Sequence, residues 1–294
     1  LLNTAASQKV KNMKCYDIAI LGATMFAAGI IQSLSEEKRK DCIVIESSFG
    51  YASDFVPAMK ATPLCKPVSE LSFSTRTTEL LGSLVEKGMI SSDGRIHVIP
   101  FSFVCSTLLS GCGKMLLGTS VTSVEKSRDD KDLCVIKYVN SAGLDSVCAS
   151  KIIDTTNLGF MRSYEGLRLT ENSDAKKYFC ASLVKYSDDA KDISLFSDSD
   201  GEAVAVRGAL EDEYILKLSV PENADFAKAR ELMAAKWAYL SENEFAGWRI
   251  GAVASAFEYD YPTVKHIEKN LYTFVPSTSY GDPVSAFEGG YKCF

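Results

Sequence analysis

The sequence predicts an α/β fold made of a parallel sheet, an antiparallel β-meander crossover and a small α+β domain. Three observations support this prediction. Residues 16–46 follow the order strand, glycine turn, helix, strand. Residues 114–157 contain short apolar segments separated by turns, and residues 178–240 contain strand-like segments followed by one amphipathic helix.

The segment 16–46 (YDIAILGATMFAAGIIQSLSEEKRKDCIVIE) organises the rest of the chain. Residues 18–21 form an apolar strand, and apolar side chains recur at helical spacing over residues 26–34. A second apolar strand covers residues 43–45. Two parallel strands joined by a helix form a Rossmann-like unit.

The turn between the first strand and the helix, GATMFA, predicts a pyrophosphate site. Backbone N–H groups at a helix N-terminus have no intrahelical partner and lie at the positive end of the macrodipole, so they bind phosphate. Thr24 and Ala27 stand where the G-x-G-x-x-G pattern has its second and third glycines, and both are small. The predicted cofactor-binding residues of this turn are Gly22, Ala23, Thr24, Met25, Phe26 and Ala27.

Glu46 ends the second strand, 24 residues after Gly22. A carboxylate there is placed to accept hydrogen bonds from the ribose hydroxyls of a dinucleotide. The loop after it lies at the carboxyl edge of the sheet, so Ser47, Ser48 and Gly50 are further candidate cofactor contacts. A plain connecting loop is an equally good interpretation.

Two alternatives compete for the opening stretch. Lys14 before an apolar run is typical of a secretory signal, but Asp17 interrupts the run and no A-x-A cleavage site follows. An α/β core without a ligand explains the same pattern. Residues 1–12 are polar and aperiodic, so we expect a flexible leader.

The composition is that of a soluble protein large enough for two domains: 294 residues, 46% hydrophobic and 24% charged. The net charge of −6 and the lack of a basic block argue against nucleic-acid binding, and no other apolar run is long enough for a bilayer. The nine cysteines are scattered and there are two histidines, His97 and His266. This pattern predicts neither a disulfide framework nor a metal site, and we expect a reducing, cytoplasmic setting.

Between the opening unit and the middle of the chain, residues 47–70 predict a loop, and an amphipathic helix follows within residues 71–89. A short strand over residues 95–99 carries His97, for which a structural role is the more common explanation. Residues 101–109 predict a helix. Strands over 114–124, 133–139 and 145–149 form the meander, and 151–157 is an apolar strand that ends in polar residues.

The second domain is predicted from strands over residues 178–186, 203–206 and 214–220 and a helix over 226–240. We expect a mixed sheet covered by that helix. A substrate pocket could be lined by Arg162, Tyr164, Arg207, Trp248 and Tyr280, although ordinary packing is the more common explanation for each.

Three stretches resemble the FAD-dependent oxidoreductases with two dinucleotide-binding domains: GATMFA, GTSVTSVEK…ASKIIDTTN and NLYTF…YGDPVSAFEGG. Members with the turn G-G-T-P-A-G are similar to residues 22–27. The resemblance covers residues 13–158 and 270–294. It implies a first FAD-binding part over 13–158, a substrate domain over 159–269 and a returning FAD-binding part over 270–294.

The resemblance also implies further cofactor contacts. Thr155, Thr156 and Asn157 occupy the place of the family's A-T-G, near the flavin pyrophosphate. Gly281 and Asp282 match the Gly-Asp pair that contacts the ribityl chain, before a helix whose N-terminus faces the flavin ring. An ordinary turn with an N-capping aspartate and Pro283 explains the same residues.

The expected function is that of an FAD-dependent oxidoreductase whose flavin accepts a hydride from a small organic substrate. The alternatives are a degenerate flavoprotein fold with a non-catalytic binding or assembly role, and an NAD(P)-dependent dehydrogenase. The sequence singles out no catalytic residue. Expected partners are a small-molecule substrate and a second copy of the chain, with neither nucleic acid nor membrane.

Overall fold

A computed structural model describes residues 13–127, 130–156, 176–193, 196–260, 267–269 and 271–293. The α-helices are α1 Met25–Ser33, α2 Glu36–Lys40, α3 Thr75–Glu86, α4 Phe101–Leu109, α5 Phe226–Glu242 and α6 Pro283–Tyr291. The strands are β1 Cys15–Leu21, β2 Cys42–Ile45, β3 Lys114–Leu116, β4 Ser120–Lys126, β5 Cys134–Asn140, β6 Gly143–Asp154, β7 Lys176–Lys185, β8 Ala203–Arg207, β9 Tyr214–Val220, β10 Trp248–Val253, β11 Glu258–Asp260, β12 Ile267–Lys269 and β13 Tyr272–Phe274.

The first sheet has the order β12–β13–β6–β1–β2–β3. All of these pairs are parallel except β12–β13. Strand β6 is long: its first half pairs antiparallel with β5, which pairs with β4, and its second half pairs with β1 and β13. The predicted parallel sheet and β-meander crossover are therefore confirmed, and β13 returns the end of the chain to the sheet beside β6.

The second sheet has the order β10–β7–β9–β8, and β11 also pairs with β7. Every pair in it is antiparallel, so the prediction of a mixed sheet was wrong. Helix α5 contributes Ala229, Met233 and Leu240 to the buried side chains. One cluster of buried apolar side chains extends from Phe26 in α1 to Phe179 in the second sheet, so the two parts share a core.

Two local predictions differ from the structure. Residues 95–99 form no strand. The turn at Gly94 folds the chain back on itself, and only a single bridge, between Ile90 and Ile96, joins the two sides of the turn. Residues 114–124 are two strands, since Gly118 adopts a positive φ of 57° between β3 and β4. The two strands therefore pair with different neighbours.

A disulfide joins Cys15 in β1 to Cys148 in β6. Because β1 and β6 are adjacent in the sheet, the bond links residues that already face each other in the register. The sequence pattern did not predict this bond. Among the described helices, none has the length and apolar character needed to cross a membrane.

Helix α6 packs against α1 with their backbones in direct contact. A Cβ atom at Gly29 would overlap the carbonyl oxygen of Phe287, and one at Gly290 would overlap the carbonyl oxygen of Phe26. Only glycine allows two helices to approach this closely. These two glycines therefore fix the last helix of the chain against the first.

Glu288 ties α6 to the start of α3. Its carboxylate accepts hydrogen bonds from the Ser74 N–H (3.0 Å), the Ser74 Oγ (2.7 Å) and the Thr77 Oγ1 (2.5 Å), and pairs with Lys292 (2.6 Å). Burial raises the pKa of Glu288, but the hydrogen bonds from Lys292, Ser74 and Thr77 outweigh it and lower the pKa to about 2. The carboxylate is therefore charged at neutral pH.

We expect Gly29→Ala to lower the free energy of unfolding by about 1–3 kcal/mol, because the added methyl group separates α1 from α6. The matched control is Gly82→Ala in α3, where an added Cβ meets no atom within 4 Å. That variant should gain about 0.5–1 kcal/mol from helix propensity. Urea unfolding of both variants measures the difference, and equal midpoints would contradict the close packing.

Candidate functional site

The turn from β1 into α1 has the backbone shape that the sequence predicts. Gly22 adopts a φ of 99°, in the left-handed region that favours glycine, and its N–H donates to the Ile45 carbonyl (2.8 Å). A Cβ atom there would lie 2.9 Å from Thr155 Oγ1. Gly22 therefore allows the end of β6 to approach the turn.

Thr24 replaces the second glycine of the motif and caps α1. Its hydroxyl accepts the Ala27 N–H (3.1 Å) and donates to Thr155 Oγ1 (2.8 Å), and Thr155 Oγ1 in turn donates to the Leu21 carbonyl (2.9 Å). Both threonines are buried. The predicted residues Thr24, Ala27 and Thr155 thus lie together, joined by hydrogen bonds between the turn and β6.

Glu46 lies under the same turn, where the sequence places it. Its Oε2 accepts the Ala23 N–H (2.8 Å) and the Ser53 hydroxyl (2.7 Å), and its Oε1 accepts the Ser48 N–H (2.8 Å) and the Ser47 hydroxyl (3.3 Å). The residue is only 4% exposed. All the acceptor positions that a ribose would use are occupied by the chain itself.

Asp54 lies at the N-terminus of α1 and was not predicted. Its Oδ2 accepts the Met25 N–H (3.1 Å) and the Ser277 hydroxyl, and Ser277 Oγ accepts the Phe26 N–H (3.4 Å). Among the described residues, nothing hydrogen-bonds to Asp54 Oδ1, although this oxygen is buried. A carboxylate therefore occupies the position in which a helix N-terminus binds a phosphate.

Burial raises the pKa of Asp54 from its ordinary value of 3.8 to about 7. The hydrogen bonds from Ser277 and Met25 act in the opposite direction, and the nearby Glu46 raises the pKa further. Asp54 thus changes charge near neutral pH, while it is held against the helix.

A dinucleotide diphosphate does not fit the turn in this conformation. The N–H groups of residues 23, 25, 26 and 27 all donate to side chains of the chain, and residues 23–27 are at most 1% exposed. The donor set has the chemistry of an anion site, because it binds the carboxylate of Asp54. That carboxylate must leave before a phosphate can take its place.

The C-terminal candidates lie beside the same helix. Gly281 has a φ of 72°, and Asp282 caps α6 by accepting the Val284 N–H (2.9 Å) and the Ser285 N–H (2.8 Å). Pro283 occupies the first turn of the helix. Burial raises the pKa of Asp282, against the hydrogen bonds from Ser285 and Val284. The rings of Tyr280 and Phe26 lie 5.3 Å apart, so the returning segment contacts the turn.

The remaining candidates are spread over the molecule. Ser48 Oγ accepts the Gly50 N–H (3.2 Å), and Thr156 bonds to Asp154, so these residues stabilise the loops beside the turn. Trp248 is buried in the second sheet, where its Nε1 donates to the Lys191 carbonyl (2.8 Å).

Three further candidates, Asn157, Arg162 and Tyr164, lie outside the described residues, as does His266. Arg207 lies in β8 of the second sheet, whereas the turn follows β1 of the first sheet. His97 pairs through Nδ1 with Glu213 and so links the loop before α4 to the second sheet. Within the described part of the chain, no group of three potential ligands could hold a metal ion.

Comparison with solved structures identifies the fold. The p-nitrophenol 4-monooxygenase of Pseudomonas putida aligns with 89% of this chain at 11% identity and a TM-score of 0.57. The flavin-dependent halogenase CmlS aligns with 94% at 13% identity and a TM-score of 0.58. Aklavinone-11 hydroxylase, solved with FAD and aklavinone, aligns with 94% at 12% identity and a TM-score of 0.53.

The chain has the FAD-binding Rossmann-like fold of these flavoproteins. It spans 72%, 56% and 61% of their respective lengths. Neither a family model nor a curated protein sequence matches it. The sequence analysis did not predict Ser53, Asp54 and Ser277, which hydrogen-bond to Glu46 or to the start of α1. No motif marks these three residues.

We expect the stability of the protein to fall as the pH rises from about 4 through about 7, because Asp54 keeps its proton in the folded state and loses it in the unfolded state. Asp54→Asn keeps an acceptor for Met25 and carries no charge, so it should flatten this part of the profile. Thermal unfolding between pH 4 and pH 8 measures the effect. Parallel profiles for the two proteins would contradict a titrating Asp54.

Proposed function

We propose that the protein binds FAD at the N-terminus of α1 and acts as an FAD-dependent oxidoreductase. One observation carries the proposal: the β1–α1 turn, Glu46 and the Gly281–Asp282 start of α6 are assembled around a single helix pair. They are assembled within the fold of the FAD-dependent enzymes described above. Bound FAD would supply the redox chemistry, with its flavin accepting a hydride from a small organic substrate.

The chain's own residues supply binding groups. If Ser53 and Asp54 left the turn, the N–H group of Met25 would become a donor for a diphosphate, while the N–H group of Phe26 would still donate to Ser277. Glu46 Oε2 then becomes an acceptor for ribose hydroxyls. Asp282 is already held in place by its hydrogen bonds to the first turn of α6, and this helix packs against α1. This position supports a role beside the ribityl chain. A cytoplasmic location, a small-molecule substrate and a second copy as partner are part of this proposal.

A second candidate is a non-catalytic flavoprotein fold used for binding or assembly. The closed turn favours it, because the four N–H groups and the Glu46 carboxylate are satisfied without any ligand. Buried polar groups that are already bonded gain little from a ligand that only replaces those bonds. The two candidates differ in whether the purified protein takes up FAD.

The test is to purify the protein, record its visible spectrum and identify any cofactor released on denaturation. The apoprotein is then titrated with FAD, FMN and NAD⁺. Release or saturable uptake of FAD supports the first candidate. A colourless protein that takes up no FAD supports the second, and preferential uptake of NAD⁺ would point to a dehydrogenase instead.

We expect Glu46→Gln to weaken FAD binding by about tenfold or more, because the ribose loses a charged acceptor, and hydrogen bonds to charged groups contribute roughly 1.5–3 kcal/mol. The matched control is Glu288→Gln. It removes the charge of another buried carboxylate, one that accepts hydrogen bonds at the start of α3 and not at the turn. Both variants should be less stable, and only Glu46→Gln should lose affinity in a fluorescence titration. Unchanged affinity of Glu46→Gln would remove this residue from the site.

A further inference from the structure

The segment before α4 presents three side chains on one face. Ile96 and Val98 are fully buried, whereas Arg95, His97 and Ile99 are partly or well exposed. Such alternating burial is the pattern of an extended segment, in which successive side chains point to opposite sides. Arg95, His97 and Ile99 therefore lie next to one another on the outward side of the segment.

Glu213 joins this face to the second sheet. It lies in the loop between β8 and β9, where its Oε1 bonds to His97 Nδ1 and its Oε2 accepts the Leu210 N–H (3.3 Å). The carboxylate lies against Gly208, since a Cβ atom there would be 2.2 Å from Oε2. The bond to Glu213 fixes the orientation of the imidazole and leaves its Nε2 without a hydrogen bond to the described part of the chain.

Arg207 lies at the base of the same hairpin. It ends β8 and pairs with Tyr214 in the register of the second sheet. Burial raises the pKa of Tyr214, and the positive charges of Arg207 and Arg95 act in the opposite direction. Two guanidinium groups, one from the segment before α4 and one from the second sheet, therefore lie near the same hydroxyl group.

Each arginine has a buried nitrogen without a hydrogen-bond acceptor. Arg95 donates through Nε to Asp93 (3.0 Å), and Arg207 donates through Nη2 to the Glu211 carbonyl in a long contact of 3.5 Å. Among the described residues nothing accepts a hydrogen bond from Arg95 Nη1 or Arg207 Nε, although both atoms are buried. A buried N–H of a charged group without an acceptor is destabilising. An anion with two acceptor oxygens satisfies this pair of donors.

The rim of the arginine pair is apolar. Ile99 lies on the same face as Arg95, and Leu210 is bonded through its N–H to the carboxylate that holds His97. Each of the two aliphatic side chains is 49% exposed. Apolar side chains beside a few convergent polar groups are the usual lining of a small-molecule site.

Nearby carboxylates limit the charge of a ligand. Besides burial, the negative charges of Asp192 and Asp212 raise the pKa of Tyr214, so both lie near the same hydroxyl group as the arginines. Repulsion by these carboxylates is twice as large for a dianion as for a monoanion. The surroundings therefore favour a ligand with a single negative charge over inorganic phosphate.

We propose that Arg95 and Arg207 together bind the carboxylate of an organic acid, whose apolar body lies against Ile99 and Leu210. Planar guanidinium groups match the geometry of a carboxylate and bind it through paired hydrogen bonds. The ligand then connects the segment before α4 to the second sheet. This site is separate from the β1–α1 turn and requires no FAD, so its test is independent of the proposed function.

The experiment titrates the full chain with benzoate and hexanoate by isothermal titration calorimetry, with inorganic phosphate for comparison. We expect saturable binding of a carboxylate and weaker binding of phosphate. Arg95→Gln and Arg207→Gln should each weaken carboxylate binding by about tenfold or more, because a charge-assisted hydrogen bond is lost. The matched control is Arg230→Gln, which removes an exposed arginine of α5 and should leave the affinity unchanged. Circular dichroism confirms that each variant is folded.

A second measurement leaves both arginines in place. The sequence has two histidines, so His266→Gln leaves a single imidazole signal in an NMR spectrum, that of His97. We expect benzoate or hexanoate to shift this signal in a saturable way, because the imidazole lies on the same face as Arg95. The midpoint of the shift should agree with the calorimetric affinity.

Four outcomes would overturn the inference. The first is an imidazole signal of His97 that does not respond to the carboxylates, and the second is equal affinity of the wild type, Arg95→Gln and Arg207→Gln. The third is no binding of either carboxylate up to about 10 mM, where only contacts too weak for a specific site remain. The fourth is tighter binding of phosphate than of the carboxylates. Each of these results is obtained without FAD and leaves the test of FAD binding unaffected.

Discussion

The amide groups at the N-terminus of α1 need hydrogen-bond partners, and the rest of the fold is arranged to supply them. The first turn of a helix leaves its N–H groups unpaired, and a buried N–H without a partner is strongly destabilising. Here the partners come from Thr24, Glu46, Asp54 and Ser277. The turn, the end of β2, the loop after it and the C-terminal segment therefore converge on one helix end.

Close packing of the last helix makes that convergence possible. Gly29 and Gly290 bring the backbones of α1 and α6 into contact, which places Ser277 and Tyr280 beside the turn. Strand β13 holds the same segment in the sheet next to β6. The C-terminal residues thus join the first sheet, although more than a hundred residues separate β13 from β6.

The hydrogen bonds that occupy the N–H groups of the turn also bear on the function of the protein. The fold is that of FAD-dependent enzymes, and the N-terminus of α1 contacts an internal carboxylate, that of Asp54.

Local pattern was sufficient for much of the architecture. Apolar periodicity located β1, α1, β2, α4 and α5, because each of these elements buries a face that shows in the order of its own residues. Chain order also placed Gly22 and Glu46 together, since the carboxyl ends of parallel strands meet at one edge of a sheet.

Long-range contacts decided the rest. The antiparallel second sheet, the Cys15–Cys148 disulfide and the partners of Asp54 depend on residues brought together by folding, and Ser277 lies 223 positions from Asp54. No periodicity or motif encodes such a contact, because a single hydrogen bond between distant loops leaves no repeating trace in either loop. The sequence by itself determined the β1–α1 turn and the position of Glu46 beside it. Only the tertiary structure decided that a buried aspartate would close the turn, because that depends on where the loop after Glu46 packs.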